Sequence, residues 1–281
     1  MRWAPLLGLA LGCAPRSVPF SDGVVAAGAA SIHLHCMGAG EPTVVMDAGM
    51  GNDGSIWGDV AYAVARTARA CVYDRAGLGY SAPPPAGPRT SAVLVAELDA
   101  ALKTAKIVGP LVLVGHSFGG LDMQLFAQTR GAAGLVLVDA MSPDQDTRYW
   151  SLLPPAVRDD FVAGLARSPE RIDHAALIAS FAEVRASRKD LGVLPVVVLT
   201  HGKADPAPPG VPEDAAVAME RAWSAMQDDL AKVSRNSAHL IAPTSGHFLQ
   251  RDAPDLVVAA IAETFRAARA HDRVDAGRVM P

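Results

Sequence analysis

A chain of 281 residues is long enough to bury one large core with room for an insertion. Half of its residues are hydrophobic and 19% are charged, a balance that excludes intrinsic disorder. The formal net charge of −4 leaves no electrostatic footprint for nucleic acid, so a nucleic-acid partner is excluded, and no apolar run reaches membrane-spanning length.

Residues 1–17 are predicted to be a signal or lipoprotein-type leader. Arg2 supplies the early positive charge, Leu6 to Leu11 a short apolar core, and Gly12-Cys13 the small residue before a cysteine. Cys13 is therefore a lipidation candidate, and the expected localisation is export, either as a secreted protein or with a lipid anchor to the membrane. A disordered cytoplasmic tail is the alternative.

Strand and helix signals then alternate. Val24 to Ala27 and Ser31 to Cys36 read as an opening hairpin, and Thr43 to Asp47 as a short buried strand before a loop with Gly49, Gly51 and Gly54. A helix follows around Ile56, Val60 and Val64. Cys71 to Asp74, Leu111 to Val114, Leu135 to Val138, Val196 to Leu199 and His239 to Ala242 are further strands. Helices are predicted at Thr90 to Ala105, Phe118 to Thr129 and Pro254 to Ala270. This alternation implies an α/β fold with a mostly parallel sheet flanked by helices.

The rhythm breaks between Asp139 and Pro195, which reads as helices without a strand: Pro143 to Leu152, Pro155 to Leu165 and Ile172 to Ser187. The predicted organisation is a core of residues 18–141 and 194–270, a helical lid at 142–193 and a flexible tail at 271–281. Most apolar lid residues, Tyr149, Trp150 and Phe181 among them, are expected to dock the segment on the core, with some left to line a substrate pocket.

The chemistry concentrates at Leu111 to Gly120, LVLVGHSFGG. A buried strand that turns into an amphipathic helix through G-x-S-x-G forms a nucleophile elbow, with Ser117 at the tip of a strained turn and helix N–H groups aimed at the site. The bland reading is a close-packed turn with an incidental serine. His247, in a loop after the last strand, is the candidate base. Asp205, in the loop after Val196 to Leu199, is the preferred acid. Asp139, which ends the strand after the elbow helix, is the alternative acid, or else a helix cap. An oxyanion hole needs backbone donors, assigned to Phe118 and to Met50 in Ala48-Gly49-Met50-Gly51, with Gly51 kept open.

With Gly49-Met50, Tyr73 to Ser81, Gly115 to Gly120, Gly202 to Asp205 and Gly246-His247, the chain resembles serine hydrolases of the α/β-hydrolase family, from about Val18 to Ala270. The resemblance implies an eight-stranded, mostly parallel sheet with the second strand antiparallel. It also implies the chain order Ser117, Asp205, His247 and acyl transfer to water without a cofactor. It makes the strands bearing Cys36 and Cys71 adjacent, so these two form a possible disulfide, with buried free thiols as the alternative. Serine at the elbow argues against the epoxide-hydrolase and dehalogenase branches, which need aspartate there. Ala48 departs from the family, many members of which carry histidine before the oxyanion glycine. Asp74 and Arg75 are expected to be structural.

His33 and His35 share a strand face, but no third ligand has suggestive spacing, so no metal site is predicted and they read as surface or strand-pair residues. His116 reads as packing. His201 reads as solvent-exposed, with a role behind the acid as the alternative. The expected function is cleavage of a carboxylic ester or related acyl bond in a small-molecule acyl substrate. The alternatives are an acyltransferase or perhydrolase with the same triad, or a non-catalytic binding protein on this fold. The sequence is silent on acyl length and oligomeric state.

Overall fold

Val44 to Met46, Val112 to Val114, Leu135 to Val138 and Val196 to Leu199 are buried along their whole length. Runs without polar alternation are stable as strands only when helices cover both faces of the sheet. The computed structural model, which describes residues 20–280, has this arrangement. The predicted leader over residues 1–17, with Cys13, lies outside the described residues.

In chain order the elements are β1 (Phe20–Ala27), β2 (Ala30–Met37), β3 (Thr43–Asp47), α1 (Gly58–Ala65), β4 (Ala70–Asp74) and α2 (Ser91–Thr104). Next come β5 (Leu111–His116), α3 (Phe118–Thr129), β6 (Gly134–Val138), α4 (Gln145–Arg148), α5 (Pro155–Leu165) and α6 (His174–Ser187). The chain closes with β7 (Val196–His201), α7 (Glu213–Ala231), β8 (Ser237–Ala242), α8 (Leu249–Asp252) and α9 (Pro254–Ala270). The eight strands lie in the order β1-β2-β4-β3-β5-β6-β7-β8. β2 runs antiparallel to both neighbours, and every other pairing is parallel. The fold class is therefore the one expected, an eight-stranded, mostly parallel sheet flanked by helices.

One core is built where α2, α3 and α6 cover the sheet, with Leu98, Leu121 and Phe181 fully buried. The other lies under α1 and α9, around Trp57, Val60 and Ile261. Cys36 faces Cys71 in the β2–β4 register, and the pair is bonded as a disulfide.

Between β6 and β7 the chain is helical, as expected, but the predicted helix over Pro143 to Leu152 divides at Tyr149 into α4 and a short 3-10 turn, Trp150–Leu152. The insertion is tied firmly to the core. The N-terminus of α2 leaves backbone N–H groups without helical acceptors. Ser180 Oγ takes the Ser91 N–H at 2.8 Å and Glu183 Oε2 takes the Ala92 N–H at 2.8 Å, both from α6.

Two expectations are corrected. The segment after Ala270 is not a flexible tail over its described residues. Asn236 bonds Val274 N through Oδ1 and Asp272 O through Nδ2, Glu263 accepts the Asp275 N–H, and Val279 is buried against the α1–α9 core. Backbone groups that find such partners are held in place, whatever the local charge content. In addition, α7 is absent from the helices read from the sequence, although its buried Met219, Trp223, Met226 and Leu230 are spaced as one helical face.

Candidate active site

Six neighbouring parallel strands, β4, β3, β5, β6, β7 and β8, end at one edge of the sheet, and the loops leaving them carry the site. At the end of β5, Ser117 has φ 52° and ψ −121°, a conformation that costs a non-glycine residue energy. The surroundings enforce it. A Cβ on Gly115 would lie 2.5 Å from Gly119 O, so strand and helix can close this tightly only without one. Ser117 O accepts from Gly120 N at 3.0 Å and from Met141 N at 2.9 Å, which fixes the turn to both α3 and the segment after β6.

Phe118 opens α3, so its N–H has no acceptor within the helix. The β3 loop approaches from the other side: a Cβ on Gly49 would sit 3.0 Å from His116 Nδ1 and 3.2 Å from Ser117 Cβ. Met50 and Gly51, the two candidates on this loop, differ in how their N–H groups are engaged. Gly51 N donates to Glu170 Oε1 at 2.5 Å and is in use, whereas the Met50 amide donates to no protein acceptor among the described residues.

The loop is held from beneath by charge. Arg75 donates from Nη1 to Asp47 Oδ1 at 2.5 Å and to Ala48 O at 2.7 Å, from Nη2 to Gly49 O at 2.8 Å, and from Nε to Glu170 Oε2 at 2.5 Å. All three charged groups are buried. Arg75 thus has the structural role expected of it, and Glu170 is a partner that the sequence reading lacks.

His247 is brought in by the β8–α8 loop. His116, buried beside Ser117, bonds the His247 carbonyl oxygen through Nε2 at 2.9 Å. Burial and the neighbouring His247 lower the His116 pKa to about 3. It is therefore a neutral imidazole with its hydrogen on Nε2. Trp223 meets the His247 ring edge-on at 5.9 Å, and Tyr149 of the insertion meets Trp223 at 5.8 Å.

The partner of His247 is Asp139, not the preferred Asp205. His247 Nδ1 lies 2.6 Å from Asp139 Oδ2. β7 continues through Thr200 to His201, so Asp205 falls beyond the sheet edge on an exposed proline-rich loop, where its carboxylate lies near Gly246 and makes no hydrogen bond to the His247 ring. His201 occupies the place next to Asp139, and it is half-buried rather than solvent-exposed. Its Nδ1 is 2.8 Å from Asp139 Oδ2 and its Nε2 is 3.0 Å from Glu220 Oε2. Asp139 Oδ1 accepts from Trp223 Nε1 at 2.9 Å and from His201 N at 3.2 Å. Burial alone would raise the Asp139 pKa, but the bonds from His201 and His247 outweigh it and hold the carboxyl well below the usual range.

Asp139, His201 and His247 also form a group whose donor atoms lie within 4.8 Å of one another. Both imidazoles direct Nδ1 at the same carboxylate oxygen, which is hydrogen-bond geometry rather than a ligand cage. His33 bonds Asp74 and Asp22, and His35 bonds Asp22, consistent with their reading as strand-pair residues.

The sequence model described as the alpha/beta hydrolase family matches residues 33–260. An uncharacterized protein of Bacillus subtilis (strain 168), YqjL, is 26% identical over 236 residues, covering 83% of this chain and 87% of that protein. Among solved structures, a thermophilic esterase from Thermogutta terrifontis is similar with a TM-score of 0.63 at 21% identity, over 88% of this chain and 99% of that one. The haloalkane dehalogenase DbeA from Bradyrhizobium elkani USDA94 is similar with a TM-score of 0.69 at 17% identity, over 90% of this chain and 100% of that one. At such identities these structures speak for the fold alone. The family match runs from β2 into α9 and includes Ser117, Asp139 and His247, so the chain belongs to the alpha/beta hydrolase family.

Proposed function

We propose that the protein is a serine hydrolase that cleaves a carboxylic ester or related acyl bond through an acyl-enzyme. The observation that carries this reading is the strained Ser117, φ 52°, at a strand-to-helix turn on the same sheet edge as the His247–Asp139 pair. Asp139 is ionised and only accepts, so it keeps a hydrogen on His247 Nδ1 and leaves Nε2 free to take a proton. Ser117 Oγ attacks the acyl carbonyl as its proton passes to His247 Nε2. The oxyanion is held by the Phe118 and Met50 N–H groups. His247 then protonates the leaving alcohol, and water, deprotonated by the same nitrogen, releases the acid and restores Ser117.

The chemistry of the nucleophile separates this reading from the dehalogenase neighbour. A serine alkylated at a saturated carbon would become an ether, which water and an imidazole do not cleave. An acyl-serine is an ester and turns over. Transfer of the acyl group to an alcohol or to peroxide is the second reading, and it uses the same residues. Fluorophosphonate labelling followed by peptide mass spectrometry tests the reading. Adduct on Ser117, absent from heat-denatured protein and from Ser117→Ala, is expected, together with hydrolysis of a p-nitrophenyl ester series. Native protein that neither labels nor hydrolyses would return the chain to a binding role.

A further inference from the structure

His201 lies between two carboxylates, Asp139 Oδ2 at 2.8 Å on Nδ1 and Glu220 Oε2 at 3.0 Å on Nε2. An ionised carboxylate has no hydrogen to give, so both ring nitrogens of His201 must be donors, and the ring is an imidazolium. This cation and His247 bond the same oxygen of Asp139.

We propose that His201, charged and oriented by Glu220, is a positioning residue that fixes the Asp139 carboxylate for His247 and sets how readily His247 takes a proton. The inference rests on the reading of His247 as the base. The geometry carries it in two ways. First, Asp139 is held on both oxygens by groups other than His247: Trp223 Nε1 and His201 N on Oδ1, and His201 Nδ1 on Oδ2. Its carboxylate plane is therefore set before His247 arrives. Second, His201 places a positive charge beside the carboxylate that would otherwise stabilise the His247 imidazolium in full. Asp139 therefore divides its attraction between two imidazole rings, and the charge that His247 gains during turnover is offset by less of it.

Both nitrogens of His201 face acceptors, and burial alone would lower its pKa. The bonds from Asp139 and Glu220 overcome this and raise it to about 10. The other titratable groups around the relay come from each element packed on it. They are Tyr149 after α4, Asp205 in the β7–α7 loop, His116 at the end of β5 and Arg251 on α8. Tyr149, raised to about 12 by burial and by Glu220, Asp139 and Asp205, stays neutral at the pH of an assay.

Two measurements test the inference. Imidazole nitrogen NMR of the intact protein at pH 8 is expected to show hydrogens on both nitrogens of His201, and loss of one of them in Glu220→Gln. This readout does not depend on activity. In the pH profile of kcat/KM, His201→Gln keeps a donor for Asp139 but removes the charge, so the acidic limb is expected to move to higher pH. Glu220→Gln, at a partly exposed helix position, moves it the same way by less, and it decides the matter if His201→Gln fails to fold. A His201 with a single hydrogen at pH 8, or an acidic limb that stays in place or moves down while Ser117 still labels, overturns the inference. Wild-type protein whose Ser117 does not label would instead refute the hydrolase reading beneath it.

Discussion

Asp139 Oδ2 and His247 Nδ1 are 2.6 Å apart, and the carboxylate making that bond is completely buried. This contact joins residues 108 apart in the chain and fixes both the tautomer and the direction of the imidazole.

It predicts a sharp division between the two candidate acids. Asp139→Asn presents an amide, which favours the wrong tautomer of His247, and kcat is expected to fall roughly 1,000- to 10,000-fold. Asp205→Asn is expected to change kcat/KM by no more than about twofold, the usual outcome for an exposed side chain that makes no hydrogen bond to His247. Steady-state kinetics on one ester decide it, and a large loss in Asp205→Asn with a small one in Asp139→Asn would reverse the assignment.

The second prediction concerns Glu170, buried on the insertion between α5 and α6, which holds both Arg75 Nε and Gly51 N. Glu170→Ala removes an anion from a buried pair and leaves Arg75 undercompensated, so unfolding free energy is expected to drop by about 3–5 kcal/mol. Glu170→Gln keeps an acceptor for Gly51 and tests function. It removes the charge paired with Arg75 Nε, so the loop bearing the Met50 amide is held less firmly and kcat is expected to fall, by up to about 100-fold, while KM changes little. Denaturation midpoints and a kcat against KM comparison separate the two effects. Equal kcat in Glu170→Gln and wild type would detach the insertion from the oxyanion loop.

Much of this site was legible in the sequence, and the parts that were not share a cause. The central strands β3, β5, β6 and β7 show as apolar runs because both faces of the sheet are covered there, and Ser117 and His247 show because glycine-flanked turns after strands are local signals. The choice between Asp139 and Asp205 is not local. It depends on β7 running on to His201, and on Trp223 and Glu220 arriving from α7, contacts that span 84 and 19 residues. Glu170 is one acid in a polar turn, and only its approach to Gly51, 119 residues away, gives it meaning. The segment after Ala270 reads as a flexible tail, yet Asn236 and Glu263 supply backbone partners for it.

The Cys36–Cys71 disulfide closes a loop of 35 residues between neighbouring strands at one side of the sheet. Restricting the unfolded chain to that extent is expected to contribute about 2–4 kcal/mol. Thiol titration of denatured protein before and after reduction should release the pair only after reduction, and Cys36→Ala/Cys71→Ala should lower Tm. Esterase kinetics should be unchanged, since Ser117 stands on β5, two strands away from β4. A double variant as stable as wild type would leave the bond without a structural role.

The last prediction is the pH dependence of stability. His116 is buried neutral with its pKa lowered to about 3 from 6.5, so below about 6.5 the unfolded chain takes up a proton that the folded one refuses, and stability falls with acidification. His201 has the opposite shift, to about 10 from 6.5. Its contribution is complete below about 6.5 and is lost as pH rises through about 10, because there the folded protein holds the extra proton. Asp139, lowered, adds a contribution present above about 3.8 and lost on further acidification. The histidine terms therefore decline on opposite sides of about pH 6.5, and Tm should peak near it. Replacing His201 by Gln removes the alkaline term, so the variant should start from a lower Tm at pH 6.5 and lose less between there and pH 10. Parallel Tm curves for the two proteins across that range would mean that His201 is not charged in the folded state, and the positioning role assigned to it would fall with that result.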